Sequence, residues 1–236
     1  MTNIDIDSIR DKLHAKLEPS GWATVLRHFI YSDEFTKIIV KLEHETKEGR
    51  RFTPSLSKMF SAFYDCPYDK LNVVMIGQDP YPYVGVADGK AFSVSNDSKH
   101  VPPSLKYIFK EIERTVYKEK KNFQPDLSRW SNQGILLLNI ALTTTVNKVG
   151  QHYLIWQPFL AYLFDMLNWH KPQTIYVYMG KKASDWQDSV SDNNKKLVTS
   201  HPASAAHNKL ENWDSGDVFN KINECLQKLE KPQIEW

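Results

Sequence analysis

Apolar positions recur along this chain with two different periods. Ile6, Ile9, Leu13 and Leu17 share one helical face, which predicts a helix over 5–18 ended by Pro19, Ser20 and Gly21. A second helical stretch carries Trp22, Val25, Leu26 and Phe29, then Phe35, Ile38, Ile39 and Leu42. The polar run at 43–51 reads as a solvated loop or helix end, and Pro54 opens a short helix with Leu56, Met59, Phe60 and Phe63 on one face. Pro103 and Ser104 start an amphipathic helix with Leu105, Ile108, Phe109, Ile112 and Val116 inward. The charged tract 117–126 reads as a solvated connector. Two further helices are expected, near Trp156–Trp169 and over Val218–Leu229.

Between these helices lie four short apolar runs: Val73–Ile76, Ile135–Ile140, Thr174–Met179 and Lys196–Thr199. Short runs rich in β-branched residues, set among helices, predict strands of a parallel sheet. The expected fold class is α/β: a single domain over 1–236 with a central four-stranded parallel sheet flanked by helices on both faces. Such sheets bind ligands beyond the carboxyl ends of their strands. Polar residues stand at those ends: Gln78 and Asp79, locked by Pro80; Asn139; Gly180 with Lys181; and His201. Each has an ordinary explanation, as a turn cap, a core amide or a turn histidine. An acid, an amide and an imidazole along one rim together describe a site.

Composition narrows the partners. With a formal net charge of +2, nucleic-acid binding would have to come from a local patch. Cys66 and Cys225 form no metal-ligand spacing and read as free thiols of a reducing compartment. No His/Asp/Glu/Cys spacing fits a metal site, and no cofactor is expected. The start MTNIDIDSIRDKL is acidic and lacks the apolar core of a signal peptide, and no run reaches transmembrane length. A soluble cytoplasmic (or nuclear) monomer without membrane contact is expected.

Several motifs then converge. GQDPY at 77–81, AFSV at 91–94, PPSL at 102–105, QGILLLN at 133–139 after Trp130, HPAS at 201–204 with His207, and the final IEW fall in order along the chain. Through them it resembles family-1 uracil-DNA glycosylase. The resemblance implies hydrolysis of the N-glycosidic bond of uracil in DNA, without cofactor, leaving an abasic site. It implies catalytic roles for Asp79 and His201, uracil contacts from Gln78, Tyr81, Phe92 and Asn139, and DNA contacts from Pro102, Pro103, Ser104, Lys181, Ser204 and His207. It also makes a proteinaceous glycosylase inhibitor a candidate partner. The chemistry fits these side chains. An ionised Asp79 stabilises a cation-like sugar and orients water, while an imidazole donates to the departing base. The Asn139 amide matches uracil's N3–H and O4, whereas cytosine presents the reverse pattern. Phe92 can stack on the base, and Tyr81 fills the space a 5-methyl group needs. The base must first leave the helix.

Four positions depart from the family. Pro82 replaces a histidine, Lys181 replaces a serine, the histidine loop is shortened to HPASAAH at 201–207, and Ala205 stands where a leucine wedge is expected. Leu210 is a candidate replacement wedge. These departures keep two rivals open: a DNA-binding scaffold with weak activity, motivated by Pro82 and the trimmed loop, and a glycosylase for 5-substituted uracil, which would require Pro82 to displace Tyr81.

Overall fold

The computed structural model describes residues 5–236. Residues 1–4, where the acidic start begins, lie outside the described residues. The elements run α1 Ile6–Leu17, α2 Trp22–Ile30, α3 Asp33–Lys47, β1 Phe52–Thr53, α4 Ser61–Asp65, β2 Val73–Gly77, α5 Pro103–Ile112, α6 Ser128–Ser131, β3 Ile135–Asn139, β4 Thr144–Thr145, α7 Tyr153–His170, β5 Ile175–Met179, α8 Lys181–Ser184, β6 Lys195–Thr199, α9 Pro202–His207 and α10 Val218–Lys228.

The central sheet has four strands in the order β3-β2-β5-β6, and every pairing is parallel. Successive side chains of a strand point to opposite faces, and the apolar runs divide accordingly. Val74, Ile76, Leu136, Leu138, Tyr176 and Tyr178 join one core, with Trp22, Phe60, Phe63, Trp156 and Phe159 from the helices. Val73, Met75, Ile135, Leu137, Ile175, Val177 and Met179 join the other, with Ile108, Trp130, Phe219 and Trp236. β2, β3 and β5 are buried at every position, as strands covered on both faces must be, whereas the edge strand β6 is half-exposed.

Three local expectations are corrected. The stretch after Gly21 is two helices, because Ser32 caps a new start by accepting from the Phe35 N–H. α3 then runs on to Lys47, and Glu45 is buried rather than solvated, paired with His152 at 3.1 Å. In the 117–126 tract, Phe123 stacks on Phe109 at 4.6 Å and Asp126 reaches the buried Lys90 at 3.4 Å. The two-residue strands β1 and β4 pair antiparallel beside the main sheet and have no counterpart in the sequence reading.

Candidate active site

All four strands of the parallel sheet end on the same edge, so the segments that follow them share one rim. Gly77 closes β2 and pairs with Asn139 at the end of β3. A Cβ at Gly77 would stand 2.7 Å from Asn139 Oδ1 and 3.2 Å from the Phe92 ring. The bare backbone lets the amide and the aromatic ring close on one small space. Asn139 is buried, yet among the described residues its amide makes no hydrogen bond to protein, and it stays free for a ligand.

Phe92 adopts φ +63°, a left-handed conformation that a bulky residue adopts only when its surroundings enforce it. They do. Ala91 N–H donates to Leu137 O, Val94 N–H donates to Pro125 O, and Ser93 Oγ bridges Asp88 and the Leu127 N–H. The buried Lys90 ammonium clamps the same loop, 2.7 Å from Asp65, 3.1 Å from Asp88 and 2.9 Å from Ser128 Oγ. The Tyr81 hydroxyl donates to Phe92 O at 3.1 Å and lies 2.9 Å from Ser104 Oγ. Beside Pro82, Tyr81 is thus tied to the Phe92 carbonyl and to Ser104.

Asp79 follows on the same loop. Its carboxylate accepts from the Gly150 N–H at 2.7 Å. Burial pushes the carboxyl up to about 6, with the Gly150 N–H and the nearby Tyr153 and Thr144 hydroxyls pulling the other way. The Tyr153 hydroxyl is buried beside Asp79 and Gln78 without completing a hydrogen bond of good geometry. Gly150 and Tyr153 were not among the residues picked from sequence. They are held by a buried network in which His152 Nδ1 meets Thr143 Oγ1 at 2.8 Å, His152 Nε2 meets Glu45, and Trp156 Nε1 donates to Thr143 Oγ1.

His201 stands across the pocket, its ring centroid 5.6 Å from that of Phe92. Gly180, at φ +101°, makes room for it, since a Cβ there would sit 2.8 Å from His201 Cβ. His201 is the N-cap of α9, and its Nδ1 accepts from the Ala203 N–H at 3.1 Å. An accepting Nδ1 places the proton of the neutral ring on Nε2, which remains free to donate. Burial, and secondly the charge of His207, hold the imidazole down at about 4, so it is neutral at physiological pH.

The remaining expected residues lie around this rim. Pro102 and Ser104 are buried and Pro103 is exposed; the Ser104 hydroxyl is spent on Tyr81, leaving its part in α5's N-terminus. Ser204 is half-buried, while Lys181 and His207 are exposed. Lys99, Lys148, Lys181 and Lys209 each sit in a segment following a different strand, are exposed, and make no ion pair among the described residues. The modest net charge is thus compatible with exposed ammonium groups on loops of this chain. Ala205 is fully buried and cannot be a wedge. Leu210 is 52 % exposed on a fixed backbone, its N–H donating to Ala205 O and its carbonyl accepting from Tyr107 Oη.

Comparison with known proteins agrees with this geometry. The model of the Uracil DNA glycosylase superfamily matches residues 63–229. "Uracil-DNA glycosylase" of Borrelia turicatae is 36 % identical over 230 residues, covering 95 % of this chain and all of its own. "Uracil-DNA glycosylase 1" of Listeria innocua is 32 % identical over 200 residues, covering 84 % of this chain and 89 % of its own. A mimivirus uracil-DNA glycosylase variant, solved in complex with UGI, superposes with a TM-score of 0.81 at 28 % identity over 91 % of this chain and 87 % of its own. With the matched region including Asp79, Asn139 and His201, this chain belongs to the uracil-DNA glycosylase superfamily.

Proposed function

We infer that the protein hydrolyses the N-glycosidic bond of uracil in DNA, releasing free uracil for base excision repair. One observation carries the reading: a half-buried carboxylate on the loop after Gly77, and a neutral imidazole with a fixed tautomer 5.6 Å from the Phe92 ring, accompany the small space that Asn139 and Phe92 share at Gly77. Uracil stacks on Phe92 and is read by the Asn139 amide. As the bond stretches, Asp79 faces the cationic sugar and orients the attacking water, while His201 Nε2–H donates to the uracil oxygen on which negative charge gathers. The Gln78 N–H, without a protein acceptor among the described residues, adds a second donor. The Tyr81 ring excludes thymine. Lys99, Lys148, Lys181, Lys209 and His207, with the N-terminus of α5, meet phosphates.

No described helix is long and apolar enough to cross a membrane, and we place the enzyme in the cytoplasm as a monomer. A protein inhibitor such as UGI, bound by the mimivirus relative, is a candidate competitor for the same mouth. The retained Asp79, Asn139, Phe92 and His201 argue against the scaffold reading. The test is release of free uracil from matched single- and double-stranded oligonucleotides, with Asp79→Asn as control; a protein that binds both and releases none is a scaffold.

Two outcomes are expected from that assay. The position aligned with the usual wedge is a buried alanine, so the cost of extruding a base from duplex, a few kcal/mol, is less well offset than in relatives with a wedge. Uracil in single strands is therefore released faster at subsaturating DNA, and equal rates would contradict this. Leu210→Ala should slow duplex cleavage about tenfold while leaving single strands unchanged, an effect of about 1.4 kcal/mol on filling the vacated position. An unchanged duplex rate would remove Leu210 from that role.

A further inference from the structure

The mouth of the pocket carries apolar side chains that catalysis does not use. Tyr83 and Val84 follow Pro82 directly and are more than half exposed. Val149 and Leu154 are likewise exposed. Each lies within two residues in the chain of one tied to the Asp79 loop or lying beside Asp79. Pro82 O accepts from the Asn147 N–H at 2.8 Å, which ties the Tyr83 turn to the 146–150 loop. Val149 precedes Gly150, the donor to Asp79, and Leu154 follows Tyr153, which lies beside Asp79. The Tyr83 ring meets His100 edge-on at 6.1 Å, and its hydroxyl makes no hydrogen bond among the described residues. Lys148 and Lys99 are exposed close by in sequence.

We propose that Tyr83 is a stacking platform for an unpaired base next to the uracil, with Val149 and Leu154 completing an apolar ledge. The proposal rests on the glycosidase reading above and names the form of DNA the mouth receives. On this reading the strand that delivers a nucleotide to Asp79 crosses this ledge. The outside of a duplex offers phosphates and groove edges, which give an aromatic face little. An unpaired strand exposes the π faces of the bases beside the extruded one, and these stack on aromatic side chains regardless of sequence. The interleaved lysines suit the backbone between those bases. Exposed apolar side chains on segments next to the Asp79 loop, with exposed lysines at 99 and 148, have the composition of a single-strand groove.

The experiment compares wild type, Tyr83→Phe and Tyr83→Ala on one uracil-containing sequence, single-stranded and duplex. Losing one stack should raise the single-strand KM of Tyr83→Ala about tenfold with kcat unchanged. Duplex kinetics should not move, and Tyr83→Phe should match wild type. A direct readout uses 2-aminopurine beside the uracil, bound to the Asp79→Asn protein. Its fluorescence should be quenched on binding, and the quench should be lost when Tyr83→Ala is added. An unchanged single-strand KM, an equal loss on both substrates, or a quench that survives Tyr83→Ala would each overturn the proposal. If only a protein partner loses affinity, the ledge is a protein-docking surface and the proposal is wrong. Failure of the wild-type protein to release uracil would instead remove the glycosidase reading, and the quench would still decide the stacking.

Discussion

Asp79→Asn is expected to lower kcat for uracil release about 10³-fold, the scale for losing a charge aimed at a transition state. Asparagine keeps the shape and can still accept from the Gly150 N–H, so the change removes charge rather than architecture. It should not lower the melting temperature. The carboxyl is raised to about 6 mainly by burial, which means the folded state holds its charged form at a cost. The sign of the linkage follows. The folded protein binds the proton more tightly than the unfolded chain, so this group's contribution to stability declines as pH rises from about 4 to about 6. Neutral asparagine escapes that cost at pH 7. The pH profile of wild-type kcat/KM supplies an independent check: activity needs the anion, so it should fall about tenfold per unit below about pH 6. A variant within tenfold of wild type, or a profile flat to pH 5, would show that Asp79 is not the charged partner of the sugar.

Three of the sheet's strands, β2, β3 and β5, were legible because they are buried on both faces. Such strands appear as uninterrupted apolar runs, and the structure then divides them, Tyr176 and Tyr178 into one core and Val177 into the other. Asp79, Asn139 and His201 were legible for the same reason, as polar residues at the ends of apolar runs. What the sequence did not expose depends on partners far away along the chain. Glu45 and His152 are 107 residues apart, and nothing local distinguishes a buried glutamate from a solvated one in a charged run. Tyr153 falls before the helix expected near Trp156–Trp169, and only the fold, which starts that helix at Tyr153, sets it beside Asp79. Lys90 draws three carboxylates from separate segments to hold Phe92 in a conformation that its sequence neighbourhood gives no reason to expect. The shortened loop reads as a departure, but its form is not legible: α9 turns Ala205 inward, and the turn after it leaves Leu210 exposed.

His201→Leu should lower kcat about 10²- to 10³-fold with little change in KM, the usual loss when one donor to a developing anion is removed. The argument turns on which nitrogen holds the proton. Nδ1 is occupied by the Ala203 N–H, so Nε2 is the donor, and the helix that fixes the tautomer is the helix the residue caps. Loss of that cap alone would cost about 1 kcal/mol of stability, and it must be separated from loss of the donor. His201→Asn does this. Asparagine is a good N-cap and can accept from the same N–H, but its short amide does not reach the position of Nε2. The melting temperature should recover relative to leucine while kcat stays low. Because the imidazole is held at about 4, the donor is already neutral where Asp79 is ionised, and the two required states coexist from about pH 6 upward. The acid limb of the rate profile therefore belongs to Asp79 alone, and His201→Asn should keep that limb at the same pH with a lower plateau. A shifted limb would mean the imidazole acts as a cation, and a kcat within threefold of wild type would remove it from the chemistry.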